Sequence, residues 1–184
     1  DSLAYDVDVN QANFAFNPQF IDMSTFDAKI GKTDIKASGK ITDYLNYALK
    51  DSMLTGRFNL YSSNMDLNEF MTEEEAAVET ETETTTEEST GVVRLPKNVD
   101  FELQSRFDRM IYDDLEITNT SGMVVLKDGV ADIKNLSMQL LGGTVMMNGE
   151  YDSRPDKPLM DMDFNIKNLD IKQTAEKFAT IDKL

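Results

Sequence analysis

The sequence predicts a mainly β protein, built as two repeats of long antiparallel meander strands that form a strongly twisted, curved sheet or groove. Three observations carry this. Apolar and polar residues alternate over long runs, the period of strands with one buried face. The runs are punctuated by turn dipeptides, among them Asn17-Pro18, Asp128-Gly129 and Gly142-Gly143. The same grammar then occurs twice, at an offset of about 106 to 110 residues. Its clearest copy is Leu136 to Tyr151, LSMQLLGGTVMMNGEY, and its echo is Phe26 to Ile41, FDAKIGKTDIKASGKI.

Taken in order, Leu3, Tyr5, Val7 and Val9 alternate, and after Asn10-Gln11 the phase changes to Ala12, Phe14 and Phe16. Phe20 to Ile30 and Thr33 to Thr42 follow as two further strands. DYLNYALK, residues 43–50, predicts a short helix capped by Thr42 or Asp43, with Leu45, Ala48 and Leu49 on one side. Leu54 to Leu60 returns to period 2, and MDLNEFM from Met65 reads as one helical turn or a strand end.

In the second repeat, Val99 to Ile111 carries Phe101, Leu103 and Phe107 on one parity. Leu115 and Ile117 have the opposite parity to Val124 and Leu126, so a β-bulge is expected within Asn119 to Gly122. Lys127-Asp128-Gly129 predicts a tight hairpin with positive φ in its turn. The phase flips again at Asn135. A Gly142-Gly143 turn joins the hairpin strands, and Met160, Met162, Phe164 and Ile166 form the last run. Asp170 then caps an amphipathic helix over 171–184, with Ile171, Thr174, Ala175, Phe178, Ile181 and Leu184 on one stripe.

Between the repeats lies TEEEAAVETETETTTEESTG, with eight glutamates and no lysine or arginine. It buries too little to offset its ordering entropy, so it is expected to be a disordered linker. The domain organisation expected is therefore 1–71 for a first β-groove repeat truncated at its start, 72–91 for the linker, and 92–184 for the second repeat with its helix.

Composition excludes several function classes. The formal net charge is −16 with no basic stripe, which argues against nucleic acid and anionic head groups. There is no cysteine and no histidine, which removes thiol chemistry, imidazole catalysis and the usual zinc sites. Of the acid pairs, Asp6/Asp8 and Asp161/Asp163 fall on the polar face of strands and Asp113/Asp114 in a turn. No convergent carboxylate dyad, calcium loop or phosphate loop is visible. The expectation is a non-enzyme with no cofactor and no metal. With no initiator Met, signal peptide or transmembrane run, the chain reads as a fragment of a longer protein, any anchor or address lying outside it.

Strands of about 10 to 13 residues span roughly 33 to 43 Å at ~3.3 Å per residue. Nine or ten of them make a large oily face, and two helices of about 8 and 14 residues cannot cover it. Either the sheet closes on itself as a sandwich or barrel, or it curls into an open trough filled by something else, such as acyl chains. The candidate lipid-binding residues are Phe101, Leu103, Phe107, Leu115, Ile117, Val124, Leu126, Leu136, Met138, Leu140, Val145, Met147, Met160, Met162, Phe164 and Ile166.

The runs LPKNVDFELQSRFDRMIYDDLEITNTSGMVVLKDGVADIKNLSMQLLGGTVMMNGEYD and NFAFNPQFIDMSTFDAKIGKTDIKASGKITDYLNYALKDSMLTGRFNLYSSNMDLNEFM resemble the AsmA-like family of bacterial envelope proteins. The wording NxxLxxLGGxxxMNGxYD, followed by FNIKNLDI and a terminal helix, is similar to its Bacteroidetes branch. The resemblance covers nearly the whole chain except the acidic tract. It implies an AsmA/TamB-type groove of repeated five-stranded units in the periplasm, with the parent protein anchored in the inner membrane. It further implies phospholipid or another acyl-chain lipid and neighbouring repeats as partners, and a role in phospholipid transport and outer-membrane biogenesis. The family offers no catalytic residues to carry over. The alternative is a structural or adhesive extracytoplasmic β-sandwich with a self-satisfied core.

Overall fold

The computed structural model describes residues 6–50, 52–70, 93–172 and 174. The acidic tract 72–91 and all of the terminal helix past 174 lie outside the described residues. Ten strands form one sheet: β1 (Val7–Asn17), β2 (Phe20–Ile30), β3 (Thr33–Thr42), β4 (Leu54–Ser62), β5 (Met65–Asp66), β6 (Val99–Tyr112), β7 (Leu115–Lys127), β8 (Val130–Leu140), β9 (Gly143–Asp152) and β10 (Leu159–Lys167). Their order is β1-β2-β3-β4-β6-β7-β8-β9-β10, with β5 pairing β6, and the sheet is not closed into a barrel. The mainly β, antiparallel expectation is met. Among the described residues no second sheet faces the first, so the sandwich arrangement has no second layer.

The internal repeat is a repeat of register. β2 and β3 superimpose on β8 and β9 with a shift of 110 residues, and β1 on all but the first two residues of β7 with the same shift. All neighbours are antiparallel except at the junction of the repeats, where β4 and β5 run parallel to β6. A parallel neighbour needs a crossover of a dozen or more residues, and residues 70–98 supply that length.

The phase changes in the sequence are local kinks that keep one face apolar. Asn119 (φ 51°) and Asn135 (φ 50°) sit at register shifts in β7 and β8, as the parity breaks predict. Asn tolerates the left-handed region better than bulky residues. In β1, Asn10 absorbs the shift, so the two runs read as 3–9 and 12–16 are one continuous strand over their described part. The Asp128-Gly129 turn has φ of 49° and 77°, as a primed hairpin requires. One turn differs from expectation. Its positive-φ pair is Leu141 (48°) and Gly142 (73°), not Gly142-Gly143. Gly143 opens β9 and is glycine for another reason: a Cβ there would lie 2.6 Å from the Lys167 carbonyl oxygen and 2.8 Å from Leu169.

The short helix α1 (Tyr44–Lys50) forms as predicted, but none of its residues is buried and Leu49 is 78% exposed. It therefore covers nothing. The described part of the segment, Met65 to Phe70, proves to be both things expected of it, a two-residue strand and then a 3-10 turn over Leu67–Glu69 capped by the Asp66 carboxylate. At the far end, Ile171, Lys172 and Thr174 are helical, and the Asp170 carboxylate accepts from the Lys172 N–H as an N-cap does.

Among the described residues only Ala28, Val99 and Met110 are buried hydrophobics. Several of the deepest side chains instead belong to polar clamps at the two ends of the sheet. At one end Thr33 and Ser62 have no exposed surface. Thr33 Oγ1 donates to Glu69 and accepts from the Asp66 N–H, and the Asp34 carboxylate accepts from the Ser63 and Asn64 N–H groups and both serine hydroxyls. Burial pushes the Asp34 carboxyl up, but these bonds outweigh it and hold the group below its usual range. At the other end buried Ser153 donates to the Gly129 carbonyl and accepts from the Leu95 N–H, while Arg94 donates to the carbonyls of Ser153, Pro155 and Asp156.

Candidate functional site

The sixteen candidate residues fall on one face of the sheet, and the register shows how. Phe101 pairs with Leu126 and Leu103 with Val124 across β6 and β7. Ile117 pairs with Leu140 across β7 and β8, and Leu136 and Met138 pair with Met147 and Val145 across β8 and β9. Phe164 and Ile166 then pair with the same Met147 and Val145 from the other side, and Met160 and Met162 lie opposite Tyr151 and Gly149. Phe107 lies opposite Thr120 and Leu115 opposite Tyr112. The bulges at Asn119 and Asn135 let Leu115 and Ile117 share a face with Val124 and Leu126 despite their parity.

This face is oily but uncovered. None of the sixteen is buried; thirteen are half-buried by their neighbours, and Met160, Phe164 and Ile166 on the β10 edge are 66%, 61% and 55% exposed. Side-by-side packing in one layer explains the half-burial, since each side chain packs against its cross-strand neighbours and, among the described residues, no second sheet lies above.

The face continues into the first repeat, whose residues the candidate set left out. Leu103 pairs with Phe58, Phe58 with Gly39, and Gly39 with Met23, which pairs in turn with Phe14. The repeat itself was the signal that could have found them: each second-repeat position has a counterpart at the same register. Two glycines show how deep the likeness runs. A Cβ on Gly39 would collide with the Phe58 ring, and one on Gly149 with the Met162 sulfur. In each repeat a third-strand glycine makes room for the large side chain of the next strand. Gly56 does the same for the edge-to-face pair Phe58–Phe101, whose ring centroids are 5.7 Å apart.

One groove of the sheet lies away from the candidate residues. A groove of about 840 Å³ crosses six strands from Ser24 to Asn135, and none of the sixteen lines it. Its walls include Lys36, Asn59, Tyr61, Gln104, Arg106 and Lys134, which alternate with the apolar ladder and so project from the opposite face. A twisted sheet is saddle-shaped and concave along one diagonal on each side. The charges there are internally matched: Lys36 with Asp27 at 3.8 Å, Arg106 with Asp108 at 3.3 Å, and Lys134 with Asp132 at 2.9 Å. The Tyr61 hydroxyl donates to Asp108 at 2.6 Å, which holds the phenol above its usual range. A smaller groove at the β7–β8–β9 turns, about 370 Å³, includes Leu140 alone of the sixteen.

Among the described residues no group of three or more acids could hold a metal, and no helix is long and apolar enough to cross a membrane. No protein-family model matches the chain, and neither the curated proteins nor the solved structures gave a significant match.

Proposed function

We propose that this chain is a non-enzymatic segment of an AsmA-like protein of the bacterial envelope, working in the periplasm within a parent protein anchored in the inner membrane. Its apolar face shields the acyl chains of phospholipid or a similar lipid during transport and outer-membrane biogenesis. The observation that carries this reading is the single-layer sheet: an apolar face spans both repeats, while only three hydrophobic residues are buried among those described. Fully burying one Met, Phe or Ile side chain is worth roughly 1.5–3 kcal/mol. An acyl chain laid along this face would recover part of that at each of many positions, without any directional contact. The AsmA-like wording of the hairpins supports the envelope setting.

The test is native mass spectrometry of the purified chain. Co-purified phospholipid is expected, and Met138→Asp with Met162→Asp should abolish it. A chain that stays lipid-free when reconstituted with phospholipid vesicles would overturn the reading.

A further inference from the structure

The two repeats differ at one edge, and that difference identifies a binding surface. Gly39 pairs with Phe58 and Gly149 with Met162, so β4 and β10 are equivalent strands with Gly56, Leu60 and Ser62 at the positions of Met160, Phe164 and Ile166. The far side of β4 is occupied by β6, in parallel: Gly56 pairs with Phe101, Phe58 with Leu103 and Leu60 with Ser105. Among the described residues the far side of β10 has no neighbour. In β4 the Leu54 N–H points at this junction, donating to the Asn98 carbonyl at 2.9 Å. Residues of the same parity in β10, Met160, Met162, Phe164 and Ile166, therefore aim their backbone groups at the open edge.

The polar face gives the partner's charge. Beside Gly56 the first repeat sets two cations directly opposite each other, Lys40 and Arg57. Like charges in that position repel. They are reconciled by β6, whose Asp100 and Glu102 lie 2.9 and 3.6 Å from the Arg57 guanidinium. At the equivalent place the second repeat reverses the sign: Glu150 lies opposite Asp161, with Asp163 two residues on. The same geometry thus presents two acids, with no salt bridge to either among the described residues, at a strand edge.

We infer that the β10 edge binds a parallel β-strand with apolar residues at every second position and lysine or arginine facing Asp161. Its charge pattern is the inverse of that of β6. The alternation continues the apolar face, and the cations take the place that Asp100 and Glu102 hold in β6. The β6 strand of a second copy is excluded as the occupant, because its acids would meet Asp161 and Glu150. This inference goes beyond the lipid reading and stands whether or not the apolar face carries lipid.

The experiment uses the full chain, free of lipid, with two peptides of residues 98–112: the natural sequence, and one carrying Asp100→Lys and Glu102→Lys. Amide hydrogen exchange is followed in β10. The basic peptide should slow exchange at Met160, Met162, Phe164 and Ile166, weaken with salt, and bind more tightly than the natural one. A spin label on its N-terminus should broaden Met160 rather than Ile166, as a parallel strand requires. Phe164→Pro removes an edge N–H while sparing the ladder to β9, and should abolish the slowing. No slowing with either peptide, tighter binding of the natural peptide, protection of β1 instead, or an antiparallel label pattern would each overturn the inference. Because no lipid is present, none of these results bears on the lipid test.

Discussion

β4 and β10 are the same strand in two settings. Both follow a glycine-bearing third strand, and both send a large side chain into the space that glycine leaves. Yet, while Phe58 and Met162 are both half-buried, Leu60 is half-buried and Ser62 buried in β4, whereas their counterparts Phe164 and Ile166 in β10 are 61% and 55% exposed. The difference lies in what pairs with the strand and not in the strand. Exposure of an apolar residue in a one-layer sheet is set by its neighbours, so it reports an edge rather than a polar role.

The sharpest break of this comparison is at the paired glycines. A Cβ at Gly39 meets the Phe58 ring and, at 2.7 Å, the Arg57 carbonyl oxygen, which is backbone and cannot step aside. At Gly149 the obstacle is the end of the flexible Met162 side chain, with backbone no nearer than 3.0 Å. Gly39→Ala should cost about 2–3 kcal/mol and Gly149→Ala less than about 1.5 kcal/mol, in the range of overpacking. Urea unfolding of the two variants measures both, and equal losses would contradict the asymmetry.

Two threonines sharpen the contrast between clamp and face. Thr33 is fully buried with its hydroxyl bonded to Glu69 and to the Asp66 N–H, whereas buried Thr120 has no partner for its hydroxyl. Replacing each by valine keeps the branch and removes the oxygen. Thr33→Val should destabilise by about 1–3 kcal/mol, and Thr120→Val should stabilise by about 1 kcal/mol. Thermal and urea midpoints should move in opposite directions.

The Asp34 clamp predicts a pH dependence. Its folded-state pKa is depressed, so its contribution is fully present above the ordinary carboxylate range and is lost as pH falls through the lowered value. Asp66 and Asp100 are lowered as well, the latter mainly by Lys127, and the exposed Asp152 is brought to about 2 by Arg154. Stability should therefore fall on acidification below about pH 4, and Asp34→Asn should flatten that slope. The smallest effect expected is at Leu141, a leucine at φ 48°. Leu141→Asn should stabilise by about 0.5–1 kcal/mol, since asparagine accepts the left-handed region at lower cost.

Much of the fold was legible because period 2 and turn chemistry are local. The alternation from Phe101 to Ile166 identified the apolar face, and the parity breaks at Asn119 and Asn135 located two bulges. Leu141 escaped because a strained leucine leaves no mark in sequence, and Gly142-Gly143 offered a more ordinary turn. The first-repeat half of the face was missed although the repeat had been seen. The groove around Tyr61 and Arg106 was not legible at all, since it spans six strands whose order local alternation does not give.

The sequence by itself determined the strands, their phase, the duplication and the absence of histidine and cysteine chemistry, since each is read from neighbouring residues or from composition. Only the tertiary structure decided that the repeats join through a parallel pair, that the described strands form one sheet, and that Asp161 and Glu150 meet at the edge of that sheet. Those facts depend on which strands become neighbours, and long-range pairing is set by the crossover and the register, which local alternation does not encode.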